Sequence, residues 1–430
     1  MTDAIHKTAA VTRAPRLTLQ AVLPWLLGIA FLGLMPFIFD SNSAITIMNQ
    51  MMITIVFALS YNMLLGQGGM LSFGHAVYMG VGGFFCMHIM NMVETRELPL
   101  PLPLLPVFGG LFGLGLATII GSFSTRKAGT VFAMISLGIG ELIAACSVII
   151  VVFFGGEEGI SGDRTYGLPV FGIEFLRQVE VYYVLAFWTV LSALLMYLFS
   201  RTPVGRMANA VRDNPERAEF LGYSARWVRY FSFCIAGFFA GVAGGLFAIN
   251  YEILTEGNLN LAQSGVILLV TFLGGVGFFF GPILGALVFT MLQTVMSLQT
   301  ELWQLYLGAM FVATVMFFPG GLAGVLMMHV PAIRLGKLGR LVVPYAKTLI
   351  PAVIAILGAI ILLELTFHTR HAVAGDTTVR LFWTDLNSHS LGPWIAGLAM
   401  LLGGFLLARR SVPELTAAWH DANTPEGGRA

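Results

Sequence analysis

Few side chains in this chain are placed to do chemistry, and those few sit in apolar surroundings. Glu141 falls inside the run Leu137-Gly138-Ile139-Gly140-Glu141, while His75 and His88 lie in an earlier one. A carboxylate in hydrocarbon is costly and usually faces a partner or a wet cavity, so Glu141 is read as functional, with a protonated or hydrogen-bonded packing role as the alternative. His75 reads more readily as a satisfied interior histidine. Cys86, Cys146 and Cys234 each lie in an apolar run with no metal-ligand spacing between them, which makes them core residues. The chain contains no nucleophile elbow, no HExxH pair and no G-x-x-x-x-G-K-[ST] phosphate loop. These residues speak against an enzyme. If ATP drives this protein, it is hydrolysed on another chain.

Backbone groups offer a second kind of chemistry. Glycines interrupt apolar segments at residues 66–69 and again at 274–281, 208 residues apart counted from Gly66 to Gly274. Where a membrane helix is broken, the freed N–H and C=O groups can line a cavity, so paired breaks point to a substrate path. The expected path residues are Gly66, Gly68, Gly69, Ser72, His75 and Glu141, with Gly274, Gly275 and Gly277 in the second break. The competing reading is that glycine only permits close helix crossing, and it is preferred for Gly237-x-x-x-Gly241 and Gly241-x-x-x-Gly245.

A third feature is a concentration of charge. Asp, Glu, Lys and Arg make up 10% of the chain, yet seven of the nineteen residues in VRDNPERAEFLGYSARWVR (residues 211–229) are charged. The spacing predicts a short helix. Asn214 suits the N-cap, Pro215 the first helical position and Glu216 the positive end of the helix dipole, while Gly222 can close the helix in a left-handed conformation. Between the caps, Ala218 and Leu221 fall at i and i+3 and form a small apolar face edged by Arg217 and Glu219.

The elements that must position these residues follow from composition. The 430 residues are 57% hydrophobic, with a mean hydropathy of +0.84 and 50 glycines, outside the range of soluble domains. The chain is therefore expected to be an all-α polytopic membrane protein lying in the lipid bilayer. Its net charge of +1 gives no sign of a nucleic-acid partner. Twelve apolar runs are candidate crossings: roughly 17–39, 44–65, 68–92, 101–121, 129–154, 181–199, 229–250, 262–280, 281–298, 303–328, 348–367 and 391–408. This makes about ten core transmembrane helices plus a C-terminal pair. The first run has no small-x-small cleavage site after it and reads as a retained helix, not a signal peptide. With the N-terminus inside, 18 of the 23 basic residues fall on the cytoplasmic side and 5 outside, as the positive-inside rule requires. Both termini are then cytoplasmic, and the charged stretch belongs to the largest internal loop, residues 200–229.

A resemblance adds to this reading. ERAEFLG (residues 216–222) is similar to the E-A-A-x-x-x-G signature of ABC importer permeases, although Arg217 stands where the signature has alanine. FALSYNMLLGQGGMLSFGHAVYMGVGGF (57–84), TVFAMISLGIGELI (130–143), SRTPVGRMANAVRDNPERAEFLG (200–222), FSFCIAGFFAGVAGGLFA (231–248) and FLGGVGFFFGPILGALV (272–288) follow in order. Together they resemble the branched-chain amino acid ABC permeases of the LIV-M type, which are related to the urea permeases. The resemblance implies a bacterial inner-membrane permease for small apolar amino acids, whose short coupling helix docks on an ATPase. It further implies a second related permease, two cytoplasmic ATPase subunits and a periplasmic solute-binding protein. No cofactor would be bound by this chain, with ATP and magnesium held by the ATPases. A urea or short-amide ABC permease, a passive channel and a proton-coupled secondary transporter are the alternatives. The last of these would have little besides Glu141 to work with.

The resemblance covers residues 17–328, leaving residues 1–16 as a cytoplasmic segment and 329–430 as an extension. Two further apolar runs and a polar tail make up that extension. Beyond Arg410 the tail carries Pro413, Pro425 and two terminal glycines and is expected to be poorly ordered.

Overall fold

A computed structural model describes residues 19–169, 174–371, 378–381 and 384–424. The 1–16 segment and the last six residues, Pro425 among them, lie outside the described residues. Among the described residues the regular structure is helical, apart from two short two-stranded pairings. Among the described residues, nine helices are long and apolar enough to cross a membrane. A bent pair supplies a tenth, and the apolar stretches Val22–Ile38 and Gly281–Met296 are shorter. Each of the twelve expected runs thus has its helix. The chain divides into two compact units, residues 1–271 with 285–290, and 272–284 with 291–430.

The first unit begins with α1 (Leu19–Ile38) and α2 (Asn42–Asn62), then α3 (Ala76–Glu94), α4 (Leu105–Ser124), α5 (Gly129–Ile149) and the single turn α6 (Val151–Phe154). It continues through α7 (Gln178–Arg201), α8 (Pro203–Asp213), α9 (Pro215–Phe220) and α10 (Ala225–Tyr251), and on into α11 (Leu261–Gly274). Its centre is α10, the most buried of the spans, packed against α2, α3 and α4. In lipid, apolar side chains gain little by leaving one apolar medium for another, so helices associate where small residues let backbones meet. A Cβ on Gly82 would lie 2.7 Å from the Gly241 Cα, and one on Gly113 would lie 2.5 Å from the Gly237 carbonyl oxygen. The Gly237 and Gly241 spacing is therefore a packing seam between α3, α4 and α10.

One end of α10 is closed by a loop clasp. β1 (Ile160–Ser161) pairs antiparallel with β2 (Ile253–Leu254). The buried Arg164 guanidinium donates to the carbonyls of Ile249 and Asn250 and lies 3.7 Å from Glu252. A cation there satisfies the helix's last carbonyls and complements its dipole. Beside it, Asp163 accepts from the Thr165 hydroxyl and backbone N–H at 2.6 and 2.8 Å, which holds its carboxyl below the usual carboxylate range.

The second unit contains α12 (Gly281–Met291) in part, α13 (Trp303–Phe317) and α14 (Gly321–Met327), and the short α15 (Val330–Arg334). A bend of 49° at residues 318–320 separates α13 from the helical segment that follows it. Then come two 33-residue helices, α16 (Gly339–His371) and α17 (Leu391–Asn423). Between them, β3 (Thr378–Leu381) pairs with β4 (Thr384–Asn387). The helical hairpin closes at Gly358 and Gly404, where α16 and α17 backbones meet. The buried Glu364 fastens it to the start of α13, accepting from Thr300 Oγ1 at 2.5 Å and Tyr306 OH at 2.7 Å.

The tail differs from expectation: helix α17 runs on to Asn423. Ala422 packs with Ala332 and Leu341, and the ring of Trp419 meets His329 edge-on at 5.1 Å. Lys347 pairs with Glu414 and Arg340 with Asp421, while Lys337 Nζ donates to the Thr424 carbonyl at 3.0 Å. Long-range packing supplies the order that a polar tail alone would lack.

Candidate functional site

The first glycine break is a helix end fastened by its neighbours. Helix α2 widens into one π-helical turn, Met63–Gln67, and stops. Leu65 O then accepts from Gly69 N at 3.1 Å and Leu64 O from Met70 N at 2.9 Å. The Gly66 carbonyl accepts from the guanidinium of Arg212 on α8. Gly69 has φ +63°, and a Cβ there would lie 2.6 Å from the Arg212 Cγ, so glycine is required both by the backbone and by the side chain over it.

Residues 70–76 are held in the same manner. Tyr61 OH donates to Ser72 O at 3.0 Å, Phe73 N donates to Ser136 Oγ on α5 at 3.0 Å, and Ala76 N donates to Ser264 Oγ on α11 at 3.0 Å. Non-helical backbone at membrane depth persists only when such partners exist. His75 is fully buried among Phe57, Tyr61 and Tyr78, with Nε2 2.9 Å from Ser60 Oγ. The Ser60 hydroxyl also lies 2.7 Å from the Phe57 carbonyl, so it links the imidazole to the backbone of α2. His88 lies elsewhere on α3, 2.8 Å from the Phe153 carbonyl.

Beside the break is an open, apolar cleft of about 500 Å³. Gly69, Leu71 and Phe73 form one wall and Gly129, Thr130, Ala133, Met134 and Leu137 of α5 the other. Helix α5 meets the break at Gly74, whose added Cβ would be 3.3 Å from the Gly140 Cα. The next residue, Glu141, is exposed on the helix surface. It is not in the cluster around His75.

The charged segment forms the expected capped helix. Asn214 Oδ1 accepts from Arg217 N at 3.0 Å, Pro215 takes the first position and Glu216 lies in the first turn. At the other end Gly222 has φ +85°, with Gly222 N donating to Glu219 O at 2.9 Å and Tyr223 N to Ala218 O at 3.2 Å. This pair of bonds is the Schellman closure. The apolar face, however, is not the one expected. Ala218 turns inward and is buried with Ala208, Val211, Ala225 and Val228. Leu221, just past the last helical residue, is 71% exposed, and its neighbour Phe220 is 90% exposed. The helix closes too soon for the two positions to share a face. Phe220, which cap and spacing rules do not single out, is the outermost apolar group of the segment.

The second break lies in the other compact unit. Gly274 abuts Gly281, while Gly275, at φ +114°, abuts Gly320. A Cβ on Gly321 would be 2.5 Å from the Gly275 Cα, and Gly277 has open space around it. Among the described residues, no group of three or more His, Cys, Asp or Glu side chains is arranged to hold a metal ion.

The broken end of α2 is thus braced by side chains of α5, α8 and α11, and α9 is capped and turns Phe220 outward. Comparison with known proteins then decides the family: residues 43–315 match the branched-chain amino acid transport system permease component. The chain belongs to that family. This permease is 27% identical over 305 residues to the high-affinity branched-chain amino acid transport system permease protein LivM of Escherichia coli K12, covering 66% of this chain and 70% of the relative. It is also 30% identical over 159 residues to the autoinducer 2 import system permease protein LsrC of Klebsiella pneumoniae, covering 35% of this chain and 46% of that one. No solved structure matches at a significant level. The permease is thus a multi-pass membrane component of an ABC-type importer, without catalytic activity of its own and from a family without a bound cofactor. Such a component works with ATPase and binding-protein partners.

Proposed function

We propose that this permease carries branched-chain or other small apolar amino acids across the bacterial inner membrane, driven by ATP hydrolysed on two cytoplasmic ATPase subunits that dock on α9. Both termini face the cytoplasm, which puts the α8–α9 segment on the ATPase side. A second related permease and a periplasmic solute-binding protein complete the assembly. The observation that carries this reading is α9 itself. It is a helix capped at both ends, anchored inward by Ala218, and presenting Phe220 and Leu221 to solvent. Fully burying a side chain such as Phe or Leu in a partner's groove contributes about 1.5–3 kcal/mol.

ATP binding draws the ATPases together, α9 moves as a lever, and the spans exchange inward-open and outward-open arrangements around the solute. No bond in the solute changes. The path is assigned to Gly66, Gly68, Gly69, Ser72 and His75, to the apolar cleft beside them and to Glu141. An intramembrane carboxylate exposed on α5 needs a wet or cationic partner, and a path supplies one. Gly274 and Gly275 are assigned to turn packing. The family description and the relative's printed name support a branched-chain solute, and the cleft's apolar lining suits one.

The test is uptake of radiolabelled leucine by cells expressing the whole gene neighbourhood, with Phe220→Asp plus Leu221→Asp compared at equal membrane abundance. ATP-dependent uptake lost in the double variant is the expected result. Uptake unchanged would overturn the role of α9. No leucine uptake even by the unaltered assembly would move the solute to urea and other short amides.

A further inference from the structure

Arg212 reaches from the ATPase-facing α8–α9 segment to the broken end of α2 and sets its guanidinium on a backbone carbonyl there. Its guanidinium divides between two tasks. One nitrogen donates to Gly66 O, and Nε pairs with Asp213 Oδ1 at 2.9 Å. The aliphatic stem lies across Gly69, so the side chain is in contact with both glycines that flank the end of the helix.

The cation also sits where the helix wants one. At a helix C-terminus the last carbonyls lack intrahelical partners and carry the negative end of the dipole, and a guanidinium answers both needs. Met63 and Leu64 anchor the turn inward, and the contact from α8 adds a constraint on where the glycines of residues 66–69 lie.

The geometry on the other side of Arg212 makes it a transmitter. Val211, its neighbour, is buried with Ala218 of α9 and with Ala225 and Val228 of α10. Two residues further on, Asn214 caps α9. Helices α8 and α9 therefore share one small core, and a displacement of α9 displaces the backbone that carries Arg212. Gly69 at the far end forms part of the wall of the 500 Å³ cleft.

We propose that Arg212 is a positioning residue that delivers motion of the ATPase-facing helix α9 to the Gly66 and Gly69 end of α2, and so sets the width of the apolar cleft between that end and α5. This rests on the reading of α9 as the ATPase dock. Arginine suits the role because its rigid fork engages Gly66 O and Asp213 together, which a lysine's single ammonium does less well.

The experiment uses the complete assembly with its ATPases in liposomes. Spin labels at Leu71→Cys and Thr130→Cys, in a Cys146→Ser background, report the distance across the cleft with and without ATP and vanadate. ATPase co-purification is scored on the same samples. The expected result is an ATP-dependent shift with Arg212 in place that is lost in Arg212→Gln, reduced in Arg212→Lys, and lost in Gly69→Ala, with the ATPases retained throughout. A shift that survives both Arg212→Gln and Gly69→Ala would overturn the proposal, as would an assembly in which the labels never move. Loss of the ATPases from Arg212→Gln would also overturn it, by making Arg212 part of the dock. Phe220→Asp separates the two readings: if that variant keeps its ATPases, the dock on α9 is what has failed.

Discussion

At residues 66–69 the chain leaves α2, and its freed backbone groups are taken up by side chains from other helices: Arg212 on Gly66 O, then Ser136 on Phe73 N and Ser264 on Ala76 N. At residues 274–281 the chain turns on glycine against glycine, with Gly274 on Gly281 and Gly275 on Gly320. Both breaks use the residue type that tolerates unusual backbone, but for different reasons. The first is held by hydrogen bonds that can be exchanged for others as helices shift. The second keeps its hydrogen bonds within its own turns, Phe278 N to Gly275 O at 3.2 Å and Gly281 N to Phe278 O at 3.1 Å, and is closed by tight glycine contacts. A break that must move with a lever is better built in the first way, and a turn that must stay closed in the second.

The largest effect should follow from breaking the steric turn. Gly275→Val places a branched side chain at φ +114° against the Gly320 carbonyl and is expected to cost about 3 kcal/mol or more, with little folded protein recovered from membranes. Fluorescence size-exclusion and a thermal melt in detergent read this directly. Wild-type recovery would mean that the turn is not glycine-locked. The hydrogen-bonded break should respond in smaller, separable steps. Ser136→Ala and Ser264→Ala each strand one backbone N–H, at about 1–3 kcal/mol apiece, and the thermal melt should fall for each alone. Near-zero shifts for both would erase the contrast between the two breaks. The smallest effect belongs to α9, where Asn214→Ala removes the cap that holds Arg217 N and costs about 1 kcal/mol of local helix stability. Backbone hydrogen exchange over residues 216–221 should quicken while the spans keep their protection.

How much of this was legible in the sequence depends on distance along the chain. The caps of α9 could be read because Asn214, Pro215 and Gly222 act on backbone within a few residues of themselves. The spans could be read because hydropathy is a property of a run. Arg212 could not be assigned to Gly66, since 146 residues separate them and an arginine in a charged loop looks solvated. Ser136 and Ser264 were equally silent, being single small residues in apolar runs whose partners are set by tertiary packing. The apolar face of α9 was misplaced because i, i+3 spacing presumes a helix that continues, and this one ends at Phe220. The tail after Arg410 read as poorly ordered because its order comes from Trp419 and Ala422 meeting residues such as His329, Ala332 and Leu341, far back in the chain.

If the reading of α9 holds, Phe220 faces an ATPase in the assembled importer. The most direct measurement places a photo-activated crosslinking amino acid at position 220 in cells expressing the whole gene neighbourhood, with Met207, which packs against the inner core of the hairpin, as the comparison site. A crosslink from position 220 to an ATPase subunit and none from position 207 is the expected result. An ATPase that crosslinks from neither position, in cells where the assembly is present and active, would contradict it.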